Sequence, residues 1–436
     1  MAEKAEKPKR KVILILGGSY AGMSVAHYTL RHVVPKLPEP DEYQVVMVSI
    51  GTEVMCRPAC PRAMISDDFF SQEELFVNIP KQFEQYPQGS FRFVQGTALH
   101  LDHEKRTVRV QLVSDGSGTT RLKNFGFHAL VIATGANASS PLIGSNGDED
   151  QLRSSWREFR RALPTARHIV IAGGGPTGVE TAGEIGEYLN GRAWFFNSKL
   201  ADPDVKITLL TSGSKLLPVL RPSIALKAEK LLAQVGVTVV KDAPVLEVTP
   251  AGPATNDGAS DGAATNTTTT TSGKVTVTLK DGASLEADIY IPAFGTTPNT
   301  AFVDGKELLL AADGRVQTNA ATLRVDKAGP RIYAVGDAST YARAAVHHIL
   351  GAVPVLGANM RRDLLAARGL SDNSIDREFK EEKREMQMVP IGRSKGVGAV
   401  FGWRLPSFMV WLIKGRDYFL WTTPKLWSGT HWAKEA

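Results

Sequence analysis

The sequence predicts an α/β protein with two parallel βαβ units and a small C-terminal domain of different composition. A pattern of buried strand, glycine-rich loop and helix begins at Lys11 and begins again at His168. Five of the seven tryptophans lie after residue 400, which separates the last segment from the rest of the chain. Because parallel strands need long crossover connections, usually helices, the repeated pattern favours layered α/β domains.

Composition limits the classes of protein that the chain can belong to. Its 436 residues are 43% hydrophobic and 22% charged, which is typical of a soluble globular protein. Two cysteines are too few for a disulfide scaffold. No apolar run reaches the ~20 residues of a membrane-spanning helix, so no transmembrane helix is predicted. Residues 1–11 are polar, so we expect no signal peptide and a cytoplasmic location.

The charge pattern gives little support for a nucleic-acid partner. The net charge is +6, and the visible basic cluster is Lys7, Lys9, Arg10 and Lys11. We interpret this cluster as a solvated tail, and we predict no nucleic-acid partner. No group of His, Cys, Asp and Glu has the spacing of metal ligands, so no metal site is predicted either.

The first unit comprises a strand over Lys11–Leu16, a loop, a helix over residues 21–33 and a strand over residues 44–48. The loop follows G-x-G-x-x-G except that Ser19 replaces the middle glycine. Such loops bring backbone amides at a helix N-terminus close to a pyrophosphate. We expect six residues to bind a dinucleotide: Gly17, Gly18, Ser19, Tyr20, Ala21 and Gly22.

One departure from the dinucleotide pattern follows the second strand. Asp or Glu usually stands there and binds a ribose hydroxyl, whereas this strand ends at Val48 and Ser49. Glu53 in the next loop is a candidate substitute. The alternative is an ordinary strand–turn–helix that binds no ligand.

The second unit repeats the pattern with a complete fingerprint. A strand over His168–Ala172 leads into residues 173–178, a helix follows over residues 179–189, and the next strand is Lys206–Leu210. The expected contacts in this loop are Gly173, Gly175, Thr177 and Gly178. No acidic residue follows the last strand, and Lys215 could tolerate a 2′-phosphate, so NADH and NADPH are both open. The sequence therefore predicts two Rossmann-like dinucleotide-binding domains.

Late in the chain a buried strand runs into Gly336 and Asp337. Asp337 can accept hydrogen bonds from the ribityl hydroxyls of a flavin whose pyrophosphate lies on the first loop. We therefore predict FAD in the first unit and NAD(P)H in the second. The other expected cofactor contacts are Thr134, Gly135, Gly295 and His347, the last on a helix that should run under the flavin ring.

Three intervening segments have their own patterns. Residues 106–112 alternate in polarity and predict a hairpin that turns at Asp115 and Gly116. Residues 249–274 contain no apolar side chain larger than Ala and predict a disordered insertion. The alternation of Val275, Val277 and Leu279 predicts a strand beside it. Residues 372–385 are highly charged and predict a linker or an exposed helix.

With these motifs the sequence resembles the pyridine-nucleotide flavoprotein oxidoreductases. It is most similar to the ferroptosis-suppressor type, with type II NADH:quinone reductases as close relatives. The C-terminal stretches Gly392–Gly398 (GRSKGVG) and Lys414–Asp417 (KGRD) carry the most specific part of the resemblance. It implies a discontinuous FAD domain over 12–145 and 290–370, an NAD(P)H domain over 146–289, and a C-terminal domain over 371–436 that faces a membrane and a quinone.

The resemblance also implies residue roles and a reaction. Hydride passes from NAD(P)H to FAD, and two electrons then pass to a ubiquinone-like quinone. Glu180 pairs with Lys414 near the flavin, and Tyr418 and Phe419 line the quinone path. The protein would be peripheral on a cytosolic membrane face, such as the mitochondrial outer membrane or a lipid droplet, and a homodimer is compatible with the sequence. The C-terminal aromatic and basic residues suit a membrane interface.

Two other functions remain open at this point. One is a reductase of a protein or dithiol acceptor, since Cys56 and Cys60 follow the first loop. Their spacing is one residue shorter than the C-x4-C of disulfide reductases, and Pro58 and Pro61 disfavour a regular helix there. The other is a slow-turnover, redox-sensing flavoprotein of the apoptosis-inducing-factor type.

Overall fold

The computed structural model describes residues 10–113, 121–144, 147–194, 196–250, 271–303, 309–371 and 374–435. The strands are β1 (Lys11–Leu16), β2 (Tyr43–Ser49), β3 (Glu53–Met55), β4 (Phe76–Asn78), β5 (Phe91–Asp102), β6 (Thr107–Leu112), β7 (Arg121–Gly126), β8 (Ala129–Ile132), β9 (Ala136–Ala138), β10 (His168–Ala172), β11 (Lys206–Leu210), β12 (Val237–Val240), β13 (Val245–Pro250), β14 (Thr271–Leu279), β15 (Ser284–Pro292), β16 (Thr296–Pro298), β17 (Ile332–Ala334), β18 (Gln387–Ile391), β19 (Lys395–Val400) and β20 (Trp403–Arg404). The α-helices are α1 (Tyr20–Tyr28), α2 (Cys60–Ala63), α3 (Gln72–Leu75), α4 (Glu149–Ala162), α5 (Pro176–Asn190), α6 (Pro222–Ala233), α7 (Val346–Ala366), α8 (Ser407–Val410) and α9 (Thr423–Trp427).

The first sheet has the spatial order β17-β8-β1-β2-β5-β6-β7. Strand β1 lies parallel to both β2 and β8, as expected for a βαβ unit. Ile13 and Ile15 pack in one core cluster, whereas Leu14 and Leu16 pack in another. Strand β1 is apolar from Val12 to Leu16 because both faces of the sheet are covered there.

The predicted hairpin after β5 is present in this sheet. Strand β6 pairs antiparallel with β7, and Val108 and Val110 are buried on one face. The predicted turn at Asp115 and Gly116 lies outside the described residues.

The second sheet has the order β12-β11-β10-β15-β14-β13. Strand β10 lies parallel to β11 and β15, which repeats the arrangement of the first unit. Strands β14 and β15 form an antiparallel hairpin, and Val275, Val277 and Leu279 are buried. Together the two sheets confirm the predicted α/β class with two Rossmann-like domains.

The insertion predicted over residues 249–274 is shorter at both ends than the sequence suggested. Strand β13 extends to Pro250 and β14 begins at Thr271, and Pro250 pairs with Val275. Backbone hydrogen bonding in the ladder does not need large apolar side chains, so composition alone misplaced these limits. Residues 251–270, the centre of the predicted insertion, lie outside the described residues.

The charged segment before β18 is a linker, and the predicted alternative of an exposed helix is wrong for its described residues, which begin at 374. Asp376 pairs with Arg324 at 2.7 Å and with Arg362 at 2.5 Å. The ring of Phe379 lies 5.1 Å from that of Tyr341. These contacts hold the segment extended along the first unit.

The C-terminal part contacts both preceding units. Strands β18, β19 and β20 form a small sheet that packs against α5 and α6. Helix α8 continues as a π-helical turn over Trp411–Gly415. The chain then returns to α1, where Trp427 and Trp432 join the core of the first unit.

Helix α7 packs against α1 under the first sheet. It has 21 residues and contains Pro354. A side chain at Gly357 would collide with the ring of Tyr28, so glycine there allows the two helices to approach closely. In the described part of the chain, neither α7 nor any other helix has the length and hydropathy needed to cross a bilayer.

Candidate functional site

A cavity of about 880 Å³ lies where the two large units and the C-terminal part meet. The first glycine loop and the ends of β2 and β8 form one wall. Thr177 and Glu180 of α5 reach it from the second unit, and Lys414 reaches it from the C-terminal part. The candidate residues from three distant segments therefore share one chamber.

The first loop has the geometry that a pyrophosphate site needs. Gly17 has a φ of 111°, and a Cβ at Gly18 would lie 2.7 Å from Ser49 Oγ. Ser19 is the N-cap of α1 in extended conformation, and its side chain makes no capping hydrogen bond. Residues 17–21 line the cavity, whereas Gly22 packs beneath them. The first turn of α1 therefore offers backbone amides to an anion, with no acidic side chain among them.

Loops from three strands complete the wall beside this turn. Thr134, Gly135, Gly295, Gly336 and Asp337 all line the cavity, as expected. The hydroxyl of Thr134 donates to the carbonyl of residue 299 at 2.7 Å, which ties the loop after β8 to the one after β16. The predicted cofactor contacts of the first unit thus line the cavity together, except for Gly22, which packs beneath the loop, and His347.

His347 does not line the cavity. The first turns of α7 present Val346 and Ile349 there instead. Burial lowers the pKa of His347 to about 4, so its imidazole is neutral near pH 7. The neighbouring His348 is buried and its Nδ1 lies 2.8 Å from the carbonyl of Arg343. The predicted helix does reach the cavity, but through Val346 and Ile349 and not through His347.

The second loop repeats the close packing of the first. A Cβ at Gly178 would lie 1.9 Å from the carbonyl oxygen of Gly173, and one at Gly173 would lie 2.3 Å from that of Ala293. Gly175 is the N-cap of α5 and faces open space. Of the predicted contacts, Thr177 lines the central cavity, and the three glycines shape the turn behind it.

Glu180 and Lys414 form a buried ion pair at the cavity wall, although 234 positions separate them. Lys414 Nζ lies 2.5 Å from Glu180 Oε1 and also donates to the carbonyl of Met388 at 3.1 Å. Burial raises the pKa of Glu180 to about 7, while the charge of Lys414 opposes that shift. The pairing that the resemblance implied is therefore present in the structure.

Tyr418 and Phe419 lie near Lys414 but do not line the described cavity. Tyr418 is fully buried, and its hydroxyl donates to Glu184 at 2.8 Å. The ring centre of Phe419 lies 5.8 Å from Lys414 Nζ. Tyr418 thus differs from the expected quinone-lining residue, because its phenol is used inside a buried polar network.

The two cysteines are not arranged as a reactive dithiol. Both are free and buried. Burial raises the pKa of Cys56 to about 11 and that of Cys60 to about 12, which keeps both as thiols. Tyr20 donates a hydrogen bond to Cys56 Sγ at 3.4 Å, and Cys60 contacts the sulfur of Met55 at 3.7 Å.

Two charged residues of the cavity, Arg57 and Glu149, were not foreseen from the sequence. Arg57 donates to the carbonyl of Ala136 at 3.2 Å and lines the cavity. Glu149 lines it from the start of α4, 97 positions after the loop residue Thr52 that it contacts. An acidic first helical turn was visible after Asp148, but nothing in its spacing tied it to this loop. The substitute proposed from the sequence, Glu53, also lines the cavity.

The fold and its two glycine loops define an oxidoreductase with two dinucleotide-binding domains. The chain belongs to the pyridine nucleotide-disulphide oxidoreductase family, whose model matches residues 11–353. It is 58% identical to oxidoreductase phnG of Penicillium herquei over the full length of both chains. It is 24% identical to ferroptosis suppressor protein 1 of Xenopus tropicalis over 96% of both chains.

Two further comparisons extend this assignment. The mitochondrial external alternative NADH-ubiquinone oxidoreductase of Yarrowia lipolytica is 24% identical, over 55% of this chain and 43% of its own. The structure of water-forming NADH oxidase from Lactobacillus brevis bound to NADH has a TM-score of 0.60 at 14% identity. That match covers 89% of this chain and 74% of the oxidase. The chain is therefore an oxidoreductase that uses FAD and a pyridine nucleotide, as predicted.

The cavity residues fit FAD. A diphosphate can lie on the uncapped first turn of α1, and Gly18 leaves the space that a side chain would fill. Asp337 lines the cavity just after β17, where it can accept hydrogen bonds from ribityl hydroxyls. Lys414 and Thr177 reach the same cavity from the two other parts of the molecule.

Proposed function

We propose that the protein is an NAD(P)H:quinone oxidoreductase that works at a membrane surface. The relative from Yarrowia lipolytica is named for NADH and ubiquinone. The buried, protonated cysteines argue against the alternative of a dithiol acceptor. The aromatic ring centres of Tyr418 and Phe419 lie 5.7 and 5.8 Å from Lys414 Nζ, which favours an acceptor with an apolar ring.

The segment 407–415 is the observation that carries this proposal. At its end, Lys414 reaches the cavity. Within the same nine residues, Phe408, Trp411 and Leu412 are exposed to solvent. One short element thus joins the cofactor cavity to an apolar surface, which is the path that a lipid-dissolved quinone needs.

The exposed aromatic surface extends beyond this segment. Trp403, Phe408 and Trp421 are 79%, 65% and 56% exposed. Arg404 and Arg416 are exposed beside them in sequence. Tryptophan and arginine together suit the headgroup region of a bilayer, where indole rings and cations meet polar and anionic groups. We propose this surface, defined by these five residues, as the membrane-facing side.

FAD, held by residues 17–21 and Asp337, would supply the redox chemistry when bound, which is hydride acceptance from NAD(P)H and delivery of two electrons to the acceptor. The chain supplies geometry and charge for this chemistry. Lys414 holds a positive charge at the cavity wall and stabilises negative charge that develops there. Glu180 fixes the position of the Lys414 ammonium through their ion pair. Two protons and two electrons convert the quinone to the quinol.

The nucleotide preference stays open between NADH and NADPH. Lys215, the cation that could hold a 2′-phosphate, donates to the carbonyl of Leu220 at 2.6 Å. Ser212 and Ser214 are exposed next to it. No carboxylate follows β11 to favour a free 2′-hydroxyl.

Anaerobic absorbance of the bound flavin tests the proposal. We expect NADH or NADPH to bleach the flavin, and a short-chain ubiquinone to restore it quickly. Bleaching without recovery would contradict the quinone assignment and would point to a protein acceptor. Slow turnover with every acceptor and a long-lived reduced complex would instead favour a redox sensor.

The variant Lys414→Met tests the role of the buried cation. We expect flavin reduction or quinone turnover to fall at least about tenfold, because a preorganised charge is lost from a water-poor site. Stopped-flow absorbance separates the two half-reactions. Lys425→Met, at an exposed lysine in the same C-terminal part, is the matched control and should react like wild type. If both variants carry out the two half-reactions at equal rates, Lys414 has no role in the mechanism.

A further inference from the structure

The end of β2 lacks the carboxylate that normally binds the adenosine ribose of a dinucleotide. Ser49 occupies that end, and its hydroxyl lies against Gly18 of the first loop. Asp337 cannot supply the missing group, because β17 and β2 are separated by two strands in the sheet. Three inter-strand spacings of about 4.8 Å place Asp337 roughly 14 Å away.

Glu53, the substitute that the sequence suggested, is already engaged. Its Oε2 lies 3.2 Å from Arg153 in a partly buried ion pair. The carboxylate charge of Glu53 is therefore shared with a cation on α4. The ribose hydroxyls at the adenosine end of the cavity therefore require another hydrogen-bond acceptor.

Glu149, the first residue of α4, lines this end of the cavity. Its Oε1 accepts two hydrogen bonds from Thr52, one from the backbone amide at 3.2 Å and one from the hydroxyl at 2.6 Å. Its Oε2 is buried and has no hydrogen-bond partner among the described residues. One oxygen is thus anchored by Thr52, whereas the other is a buried acceptor without a partner on a residue that lines the cavity.

Gly51 allows this carboxylate to come close to the loop after β2. A Cβ on Gly51 would lie 2.3 Å from Glu149 Oε2, so any side chain there would displace the carboxylate. Gly51, two positions after Ser49, and Glu149, at the start of α4, both line the cavity. The arrangement therefore puts an unpaired carboxylate oxygen next to the position that the ribose acid usually occupies.

We propose that Glu149 Oε2 accepts hydrogen bonds from the ribose hydroxyls of the adenosine half of FAD, in place of the acid missing from β2. Thr52 and Gly51 are positioning residues for this contact. The inference rests on the FAD site and is independent of the electron acceptor. It also makes the first residue of α4, which leads into the second unit, part of the flavin site.

The test is the affinity of the full-length protein for FAD, followed by flavin fluorescence. Glu149→Gln keeps the side-chain shape and the acceptor for Thr52 but removes the charge. We expect the dissociation constant for FAD to rise about tenfold, as for loss of a hydrogen bond to a charged group. Asp150→Asn is the matched control, because that carboxylate is the next residue of α4 but is exposed and does not line the cavity; its affinity should stay within about twofold of wild type.

An FAD analogue identifies the ribose as the ligand group. Wild type reconstituted with FAD built on 2′,3′-dideoxyadenosine should bind about tenfold more weakly than with FAD. Glu149→Gln should lose little further affinity with this analogue, since the contact is already gone. Equal analogue penalties in wild type and Glu149→Gln, or unchanged FAD affinity in the variant, would overturn the proposal. Thermal unfolding of the flavin-free proteins verifies that both variants fold.

Discussion

Single residues decide whether the cavity can hold its cofactors, and Gly22 is an example. A Cβ at this position would lie 1.8 Å from the carbonyl oxygen of Gly17. In Gly22→Ala the backbone of the first loop must move away from the pyrophosphate position. We expect the purified variant to retain less than about a tenth of the flavin of wild type, measured as the ratio of flavin to protein absorbance. Gly126→Ala has no atom within 4 Å of the added carbon and should keep its flavin; full occupancy in Gly22→Ala would contradict this account.

The site residues differ in how far the sequence could predict them. The glycine loops are encoded locally, since each needs only a strand, a turn and a helix in order. The pairing of Glu180 with Lys414 came from the resemblance, because no local rule joins residues 234 positions apart. Glu149 and the burial of Tyr418 were out of reach, since both depend on which segments meet in three dimensions.

At the scale of elements, the tail after β20 is held to α1 by two histidines. His27 Nε2 lies 2.7 Å from the carbonyl of Trp427, and His32 Nε2 lies 2.6 Å from that of Trp432. Tyr86 Oη lies 2.8 Å from His27 Nδ1. A neutral His27 can therefore donate to the tail and accept from Tyr86 at the same time. The aromatic composition of the tail was visible in the sequence, but its partner helix was not.

This contact predicts a loss of stability in acid. Burial lowers the pKa of His27 to about 4, and Arg31 nearby disfavours its charged form further. The stability that neutral His27 contributes is fully present above about pH 6.5, the pKa of His27 in the unfolded chain. It is lost as the pH falls through about 4, the pKa of His27 in the folded protein. A shift of this size corresponds to about 3 kcal/mol. Urea unfolding at pH 7 and pH 5 should show a smaller pH effect in His27→Gln than in wild type; identical pH effects would exclude His27 as a source.

At the scale of the whole molecule, a buried polar network joins the three parts. Arg62 of α2 makes two hydrogen bonds to Glu184 of α5, at 2.9 and 2.8 Å. It also donates to the carbonyl of Arg416 at 3.1 Å, and Tyr418 donates to the same Glu184. Arg62 and Glu184 are buried. The relative placement of the units is thus fixed by charge as well as by apolar packing.

Removal of one partner from this network should be costly. Arg62→Met leaves Glu184 buried without its cation, and we expect the free energy of unfolding to fall by about 3–5 kcal/mol. Arg62→Met/Glu184→Met should recover much of that loss, because no uncompensated charge remains. Chemical denaturation measures both variants. A single variant as stable as wild type would show that the pair contributes nothing to the assembly of the units.

The proposed membrane-facing side is also a property of the whole molecule. Trp403→Ser/Phe408→Ser should reduce co-sedimentation with vesicles of phosphatidylcholine and phosphatidylserine at least about fivefold. Trp194→Ser/Phe196→Ser alters an equally exposed aromatic pair elsewhere, 76% and 85% exposed, and should bind as wild type does. If both variants lose vesicle binding equally, the binding is a nonspecific effect of exposed aromatic residues. If neither variant loses vesicle binding, the membrane assignment is wrong.

The contacts between α1 and the tail also bear on how the protein is made. Strand β1 and helix α1 are among the first elements to leave the ribosome, yet their sheet includes β17, and His27 and His32 contact carbonyls 400 positions downstream. At about 5–20 residues per second, those partners emerge many seconds later. The unit whose synthesis starts first is therefore completed only after residue 432 has been translated.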